Sequence, residues 1–199
     1  MKRIHSNIES HQNRRGIAIL WLILWGGVFL IFFCVVLEIA TMWQTQVEVN
    51  NALDAAALAA VKEWGEQIDA IAPPPPDYST QTPRDVGIAF AAANPILGSA
   101  LVLTDNYDPT DDPNENETST GNFIFGGLDS TTSPITFNAN ADAFTEIPAV
   151  RAQVTVPVQG FCTAMFGVTP FYVSAKSTAY YDTVSGQPAL VRISTFNGP

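Results

Sequence analysis

The strongest constraint on this chain is an uninterrupted apolar stretch near its N-terminus. Residues 16–37 contain no charged and no strongly polar side chain. As an α-helix this stretch would be about 33 Å long, enough to cross the hydrocarbon core of a bilayer. A buried helix of a soluble protein rarely carries large apolar residues on every side, as this one would. The sequence therefore predicts a transmembrane helix.

A cleaved secretory signal is the alternative interpretation of the same stretch. Signal sequences usually have a shorter apolar region of about 7–15 residues, followed by a cleavage site with small residues. Here residues 38–43 continue a helical pattern directly after the apolar stretch. We therefore expect the anchor to be retained.

The charges on either side of the anchor predict its orientation. Basic residues precede it, among them Arg14 and Arg15, and the next basic residue after it is Lys62. Because positively charged flanks stay in the cytoplasm, we expect a cytoplasmic N-terminus and a domain on the periplasmic or extracellular side. Glu38, the first charged residue after the stretch, is interpreted as the outer edge of the membrane. Its alternative role is an ion pair with a partner protein.

The exported part is acidic and poor in catalytic side chains. Residues 38–199 carry a net charge of −13, from 5 basic and 18 acidic residues. This charge disfavours nucleic acid as a partner. Both histidines, His5 and His11, precede the anchor, which excludes the common His-dependent catalytic and zinc arrangements from the exported part. We expect no enzyme activity, no cofactor and no small-molecule substrate, and we expect Cys34 and Cys162 to lie apart.

Changes of composition divide the chain into parts. They are a basic cytoplasmic leader at 1–15, a transmembrane and extended Ala-rich helix at 16–72, a Pro-rich linker at 73–82, and an exported domain at 83–199 with an acidic loop at 105–121. Good helix formers favour one continuous helix up to residue 71, and a break at Gly65 or at the membrane edge is the alternative. Four consecutive prolines then end it.

The exported domain is predicted to be α+β, with a small antiparallel sheet packed against the long helix. A helix should begin at Pro83, with Thr82 as its cap, and end before Asn94. A short apolar helix or turn is predicted at 161–166. Apolar alternation predicts strands at 100–104, 122–128, 150–158, 171–181 and 189–194. The strand at 150–158 should have one wet face, with Arg151 on it.

Small residues recur along the outer half of the long helix. Ala52 and Ala56 lie on one line along the helix, and Ala55 and Ala59 lie on the next. Small side chains let another helix or a sheet approach closely. Together with Asp54, these alanines are candidate contacts with a partner protein. Packing against the protein's own sheet is an equally open alternative.

The acidic loop allows a second interpretation of the whole protein. Its carboxylates could bind calcium, although they lack the ligand order of an EF-hand, and a solvated loop is the simpler reading. An envelope-anchored binding module or adhesin that uses this loop is the alternative function.

Two regions of the sequence resemble a bacterial family. Arg14, Arg15, the apolar stretch, Glu38 and the N-x-x-D-A-A-A-L-A-A pattern within residues 47–60 are similar to TadE-like and TadG-like proteins of the tight-adherence (Flp) pilus system. A second similarity to the family pattern covers 150–158, 161–167 and 173–179.

The resemblance implies a non-catalytic, membrane-anchored component of the pilus assembly apparatus, minor pilin-like or accessory, in the bacterial inner membrane. Its partners would be other pilus-assembly membrane proteins or pilin-like subunits, together with the lipid bilayer. Pilins of this machinery carry Glu five residues after the processing Gly. Trp21 occupies that position after Gly16, which favours an unprocessed membrane form.

Overall fold

The computed structural model describes residues 5–70, 79–105, 121–139, 146–167 and 169–197. These residues divide into two compact units. The helical unit comprises 1–42 and 159–171, and the sheet unit comprises 43–158 and 172–199.

One long helix, α1 (His5–Ala70), contributes to both units. The prediction of a continuous helix is confirmed, and the alternative of a break at Gly65 or at the end of the apolar stretch is wrong. The absence of proline between 38 and 71 and the abundance of Ala, Leu, Glu and Gln explain this continuity. The helix also begins earlier than the apolar stretch. Residue 71 and most of the predicted linker lie outside the described residues.

The second helix, α2 (Gln81–Ala93), begins earlier than predicted. Its N-cap is Thr80 rather than Thr82, so Pro83 lies third in the helix. The first-turn N–H groups of a helix have no intrahelical acceptor, and a proline there loses no hydrogen bond. The predicted end, before Asn94, is confirmed.

The strands form one mixed sheet. They are β1 (Phe123–Leu128), β2 (Thr136–Asn138), β3 (Ile147–Val158), β4 (Phe171–Asp182), β5 (Gln187–Leu190) and β6 (Thr195–Asn197). The strand order is β5-β4-β3-β1-β2-β6. β1 runs antiparallel to β2 and β3, and β4 to β5, whereas β2 and β6 are parallel. The α+β class is confirmed, but among the pairings of the described residues that of β2 with β6 is parallel, in a sheet predicted to be antiparallel.

The predicted strand at 100–104 has the burial of a strand but is not one. Leu101 and Leu103 are buried and Val102 is 80% exposed. Instead of joining a ladder, the backbone N–H of Thr104 donates to the side-chain oxygen of Asn122, 2.6 Å away. The apolar alternation at 100–104 therefore arises because one side of an extended segment is buried, and it does not indicate pairing in the sheet.

The two glycines of β1 mark a close approach rather than a bulge. Gly126 and Gly127 pair in regular register with Ala149 and Pro148 of β3. A Cβ on Gly126 would collide with the backbone carbonyl of Asn138 in β2. Glycine therefore lets the backbones of β1 and β2 come together.

The predicted wet face of β3 is wrong for its first half and right for its second: Thr155 is exposed, whereas Arg151 lies where the sheet is covered on both faces. Phe125 packs with Trp64 of α1 on one side, and Ile124 packs with Phe137 on the other. Arg151, predicted to be solvated, is 6% exposed because its guanidinium lies 4.3 Å from the ring centre of Phe196. Of the predicted last strand at 189–194, only residues 189–190 form a strand, as the end of β5; residues 191–194 lie between β5 and β6 and help to cover this face.

Candidate membrane anchor and contact surfaces

The candidate anchor is the apolar part of α1. Its large side chains are exposed all round the helix, as shown by Leu22, Phe29 and Phe32 at 74%, 68% and 66% exposure. In the part of the chain that the structure describes, α1 is the one helix long and apolar enough to cross a membrane. A continuous exposed apolar surface of this kind needs a cover of lipid or protein. Arg14 and Arg15 lie in α1 directly before it, and their role in topology stays a prediction.

Glu38, directly after the C-terminal end of this stretch, holds the short helix α3 (Phe161–Phe166). Its carboxylate is buried and accepts a hydrogen bond from the backbone N–H of Cys162, 3.1 Å away, and another from the hydroxyl of Thr163. Gly160, the N-cap of α3, lies directly against the carboxylate, where a Cβ would overlap it.

This arrangement makes Glu38 a cap supplied from a distant part of the chain. The first N–H groups of a helix lack intrahelical acceptors, and the N-cap of α3 is a glycine without a side chain to accept them. A negative charge is also favourable at a helix N-terminus. From the sequence, Glu38 is expected to mark the membrane edge or to form an ion pair with a partner protein, and this contact with α3 is not predicted. Nothing in the local pattern around residue 38 or 160 links the two segments.

The two cysteines are neighbours, which corrects the prediction that they lie apart. Cys34 is one helical turn before Glu38 on the same side of α1, so the contact that holds α3 brings Cys162 beside it. Both thiols are free, and they lie close enough together for each to affect the other electrostatically. Burial raises the pKa of the Cys162 thiol to about 11, with further contributions from Cys34 and the Glu38 charge. The Cys162 thiol is therefore protonated at neutral pH.

The alanines proposed as partner contacts fall into two groups. Ala52 and Ala56 are fully buried in the core of the sheet unit, as the alternative of packing against the protein's own sheet requires. Ala55 and Ala59, on the neighbouring line, are half-buried, and so is Asp54. A partner contact through these residues stays a prediction, and the half-buried line is the part of the helix open to it.

Asp54 lies in a groove that concentrates basic side chains on an acidic domain. The groove has a volume of about 650 Å³, and its lining includes Asp54, Arg151, Lys176 and Arg192. The three cations are three of the 5 basic side chains within residues 38–199. Such a surface favours contact with carboxylates of a partner protein.

The calcium interpretation stays untested by the described residues. Among them, no group of three or more His, Cys, Asp and Glu side chains could hold a metal ion. Most of the predicted acidic loop, 106–120, lies outside them.

In the described residues, a long helix with one apolar segment that could span a membrane is followed by an α+β sheet unit, which defines a class of α+β proteins with a candidate N-terminal anchor. Within that class the chain belongs to the Tad-like Flp pilus-assembly family, whose model matches residues 44–179, more than half of the chain. A second model, of the TadE/G-like Flp pilus-assembly family, matches residues 16–63. The resemblance seen in the sequence is thereby confirmed. No curated protein and no solved structure matches the chain.

Proposed function

We propose that this protein is a non-catalytic, membrane-anchored component of the Flp pilus-assembly apparatus, acting as a minor pilin-like or accessory subunit. It is a single-pass protein of the bacterial inner membrane, with a cytoplasmic N-terminus and a periplasmic or extracellular sheet unit. The observation that carries this proposal is the family match, which includes both the exposed apolar segment and most of the sheet unit.

The charge distribution supports the orientation. Arg14 and Arg15 precede the apolar segment, and no basic residue follows it until Lys62. The exported part is strongly acidic, which keeps it soluble and disfavours contact with anionic headgroups. Both features agree with a domain held outside the cytoplasm.

The contact surfaces support a role in assembly. The half-buried line of Ala55 and Ala59 permits close approach of a partner helix, because small side chains let two backbones come together. The basic groove next to Asp54 suits acidic side chains of the same partner. The partners are other pilus-assembly membrane proteins or pilin-like subunits.

Fractionation of sheared cells tests the proposal. Fibres and membranes from producing cells are separated and probed with an antibody against the sheet unit. We expect full-length protein in the inner-membrane fraction, because Trp21 replaces the Glu that processed pilins carry five residues after Gly16. A shortened form in the fibres would show a processed fibre subunit instead.

A matched variant identifies the origin of any shortened form. Gly16→Leu removes the residue after which a prepilin peptidase would cut, and it leaves the rest of the apolar stretch unchanged. A shortened form that persists in this variant comes from another cleavage. Loss of fibre assembly in a strain without the protein, restored by the wild-type gene, completes the test of a role in the apparatus.

A further inference from the structure

The outward side of α3 is apolar and uncovered. Phe161, Met165 and Phe166 are 58%, 60% and 59% exposed, and Phe171 continues the same surface at 41%. We call these four residues the α3 surface. The whole segment 159–171 carries no charged side chain. Exposed large apolar residues are usual when scattered singly, but a dense group marks a surface that is covered in the working protein.

The contacts of α3 fix its level along the candidate anchor. Glu38 receives two hydrogen bonds from α3, and Cys34 lies beside Cys162. Cys34 precedes the last apolar residue, Leu37, by about 4.5 Å along the helix axis. Helices that lie in a membrane interface bury their apolar faces about 5–10 Å below the headgroup boundary. The segment α3 is therefore level with the outer end of the apolar stretch.

The helix α1 also exposes apolar side chains at the same level. Val35 and Val36 are 52% and 44% exposed, and Ile39, one turn outward, is 54% exposed. Both helices thus expose uncharged apolar side chains at the depth where a membrane ends. With a net charge of −13 on residues 38–199, attraction to anionic headgroups is not available. A contact with lipid here must be apolar.

We propose that α3 is a second membrane contact, which inserts the α3 surface into the outer-leaflet interface beside the transmembrane segment. This inference rests on the membrane anchoring in the proposed function. It adds that the bilayer covers the α3 surface, for which the proposed function gives no partner. The buried Glu38 carboxylate fixes α3 to the anchor, so that the two enter the lipid as one body. The second contact would restrict rotation of the anchor about its own axis.

The test measures the depth of a fluorescent label in vesicles. The full-length chain, with Cys34→Ser and Cys162→Ser to remove its own thiols, carries one new cysteine at Met165, labelled with an environment-sensitive dye. The Glu38 contact survives, because it uses the backbone N–H of residue 162 and the hydroxyl of Thr163. Phosphatidylcholine vesicles contain a lipid with a nitroxide near the headgroup end of its acyl chain, and iodide serves as the aqueous quencher.

Two control positions separate the possible failures. A label at Leu24→Cys, inside the apolar stretch, should be quenched by the nitroxide lipid. A label at Val184→Cys, at a position that is 94% exposed in the sheet unit, should be quenched by iodide. If the label at residue 24 is not quenched by lipid, the anchoring in the proposed function is wrong. If it is quenched, the label at residue 165 decides the present proposal by itself.

We expect the label at residue 165 to lose fluorescence to the nitroxide lipid and to be shielded from iodide relative to residue 184. Quenching by iodide without quenching by lipid would overturn the proposal and show an α3 surface open to water. Shielding from both quenchers would also overturn it, because a protein surface, such as a second copy of this chain, would then cover α3. Phe166→Cys, labelled in the same way, provides an independent second position.

Discussion

The contact between Glu38 and α3 predicts how fast the backbone amide of residue 162 exchanges its hydrogen in two variants of Glu38. The backbone N–H of Cys162 lies in the first turn of α3, where it has no intrahelical acceptor, and it donates to the carboxylate of Glu38. Its protection from hydrogen exchange should therefore depend on this side chain. Glu38→Ala removes the acceptor, and Glu38→Gln keeps an acceptor oxygen of the same shape without the charge.

The magnitude follows from the strength of the bond. A hydrogen bond to a charged group contributes about 1.5–3 kcal/mol. At about 1.4 kcal/mol for each factor of ten, its loss in Glu38→Ala should accelerate exchange of the residue 162 amide roughly 10- to 150-fold. A neutral bond is roughly half as strong, so Glu38→Gln should accelerate it roughly 3- to 13-fold.

The assay is hydrogen–deuterium exchange of the full chain in lipid nanodiscs, read by mass spectrometry with fragmentation to single residues. Amides of β4 in the sheet unit, such as that of the fully buried Ala179, are the internal control and should exchange at the wild-type rate. Exchange of the residue 162 amide at the wild-type rate in Glu38→Ala would refute the capping role. Equal acceleration of the β4 amides would instead show general unfolding, which the reasoning does not predict.

Three further predictions concern the core, the thiols and alkaline stability. Ala56→Leu adds volume to a fully buried position and should lower the free energy of unfolding by about 1–3 kcal/mol. The control Ala55→Leu, at a half-buried position, should change that free energy by less than about 0.5 kcal/mol. Denaturant unfolding followed by near-ultraviolet circular dichroism compares the two variants, and equal effects would argue against the assigned burial. Diamide should convert the Cys34 and Cys162 thiols to an intrachain disulfide, and its azo group takes the two hydrogens. Maleimide-polyethylene glycol should then add to neither cysteine when the oxidised chain is unfolded without reduction, and adducts on both would contradict their contact. The control Cys162→Ser should give one adduct both with and without diamide. Burial raises the pKa of Tyr181, so its protonated phenol contributes stability that is present below the unfolded pKa of about 10 and is lost as the pH rises above that value. The melting temperature of the wild type should therefore fall relative to that of Tyr181→Phe between pH 9 and pH 11, about one unit on either side of that value. A constant difference between the two melting temperatures would show that the pKa of this phenol is not raised.

Periodicity within one element predicted much of the fold. The helix α1 is continuous because its composition changes from apolar to Ala-rich without a proline or a polar break. The strands β3 and β4 alternate strongly enough to be recognised, although both extend beyond their predicted bounds. These features depend on neighbours in sequence, and local patterns contain that information.

The errors arise where distant segments decide the environment. Alternation at 100–104 indicates a buried side, but no pattern within five residues shows whether a strand lies alongside. Arg151 is buried because Phe196 covers it, and the alternation of β3 alone places it in water. Likewise, the alanine pattern of α1 indicated a close approach without identifying which line of alanines belongs to the protein's own core.

The candidate site shows the same limit more strongly. The sequence identified the apolar segment and its C-terminal end at Glu38, because both are local features. It could not show that Glu38 and Cys34 meet the segment at 160–163, more than a hundred residues away. Uncharged segments between strands are common in any domain, and only the tertiary contact distinguishes this one.

The length of the connection between β3 and β4 follows from that contact. The two strands are neighbours in the sheet, and adjacent elements are usually joined by about 4–6 residues. Here the chain uses residues 159–170, twice what sheet pairing alone requires. The additional residues form α3 and place its N-terminus on Glu38, where a carboxylate at the end of an apolar helix receives two hydrogen bonds. A buried charge without such donors would be costly. The connection therefore both satisfies the acid that ends the apolar stretch and places an uncharged helix beside the end of that stretch, and shortening it to a tight turn should disrupt both.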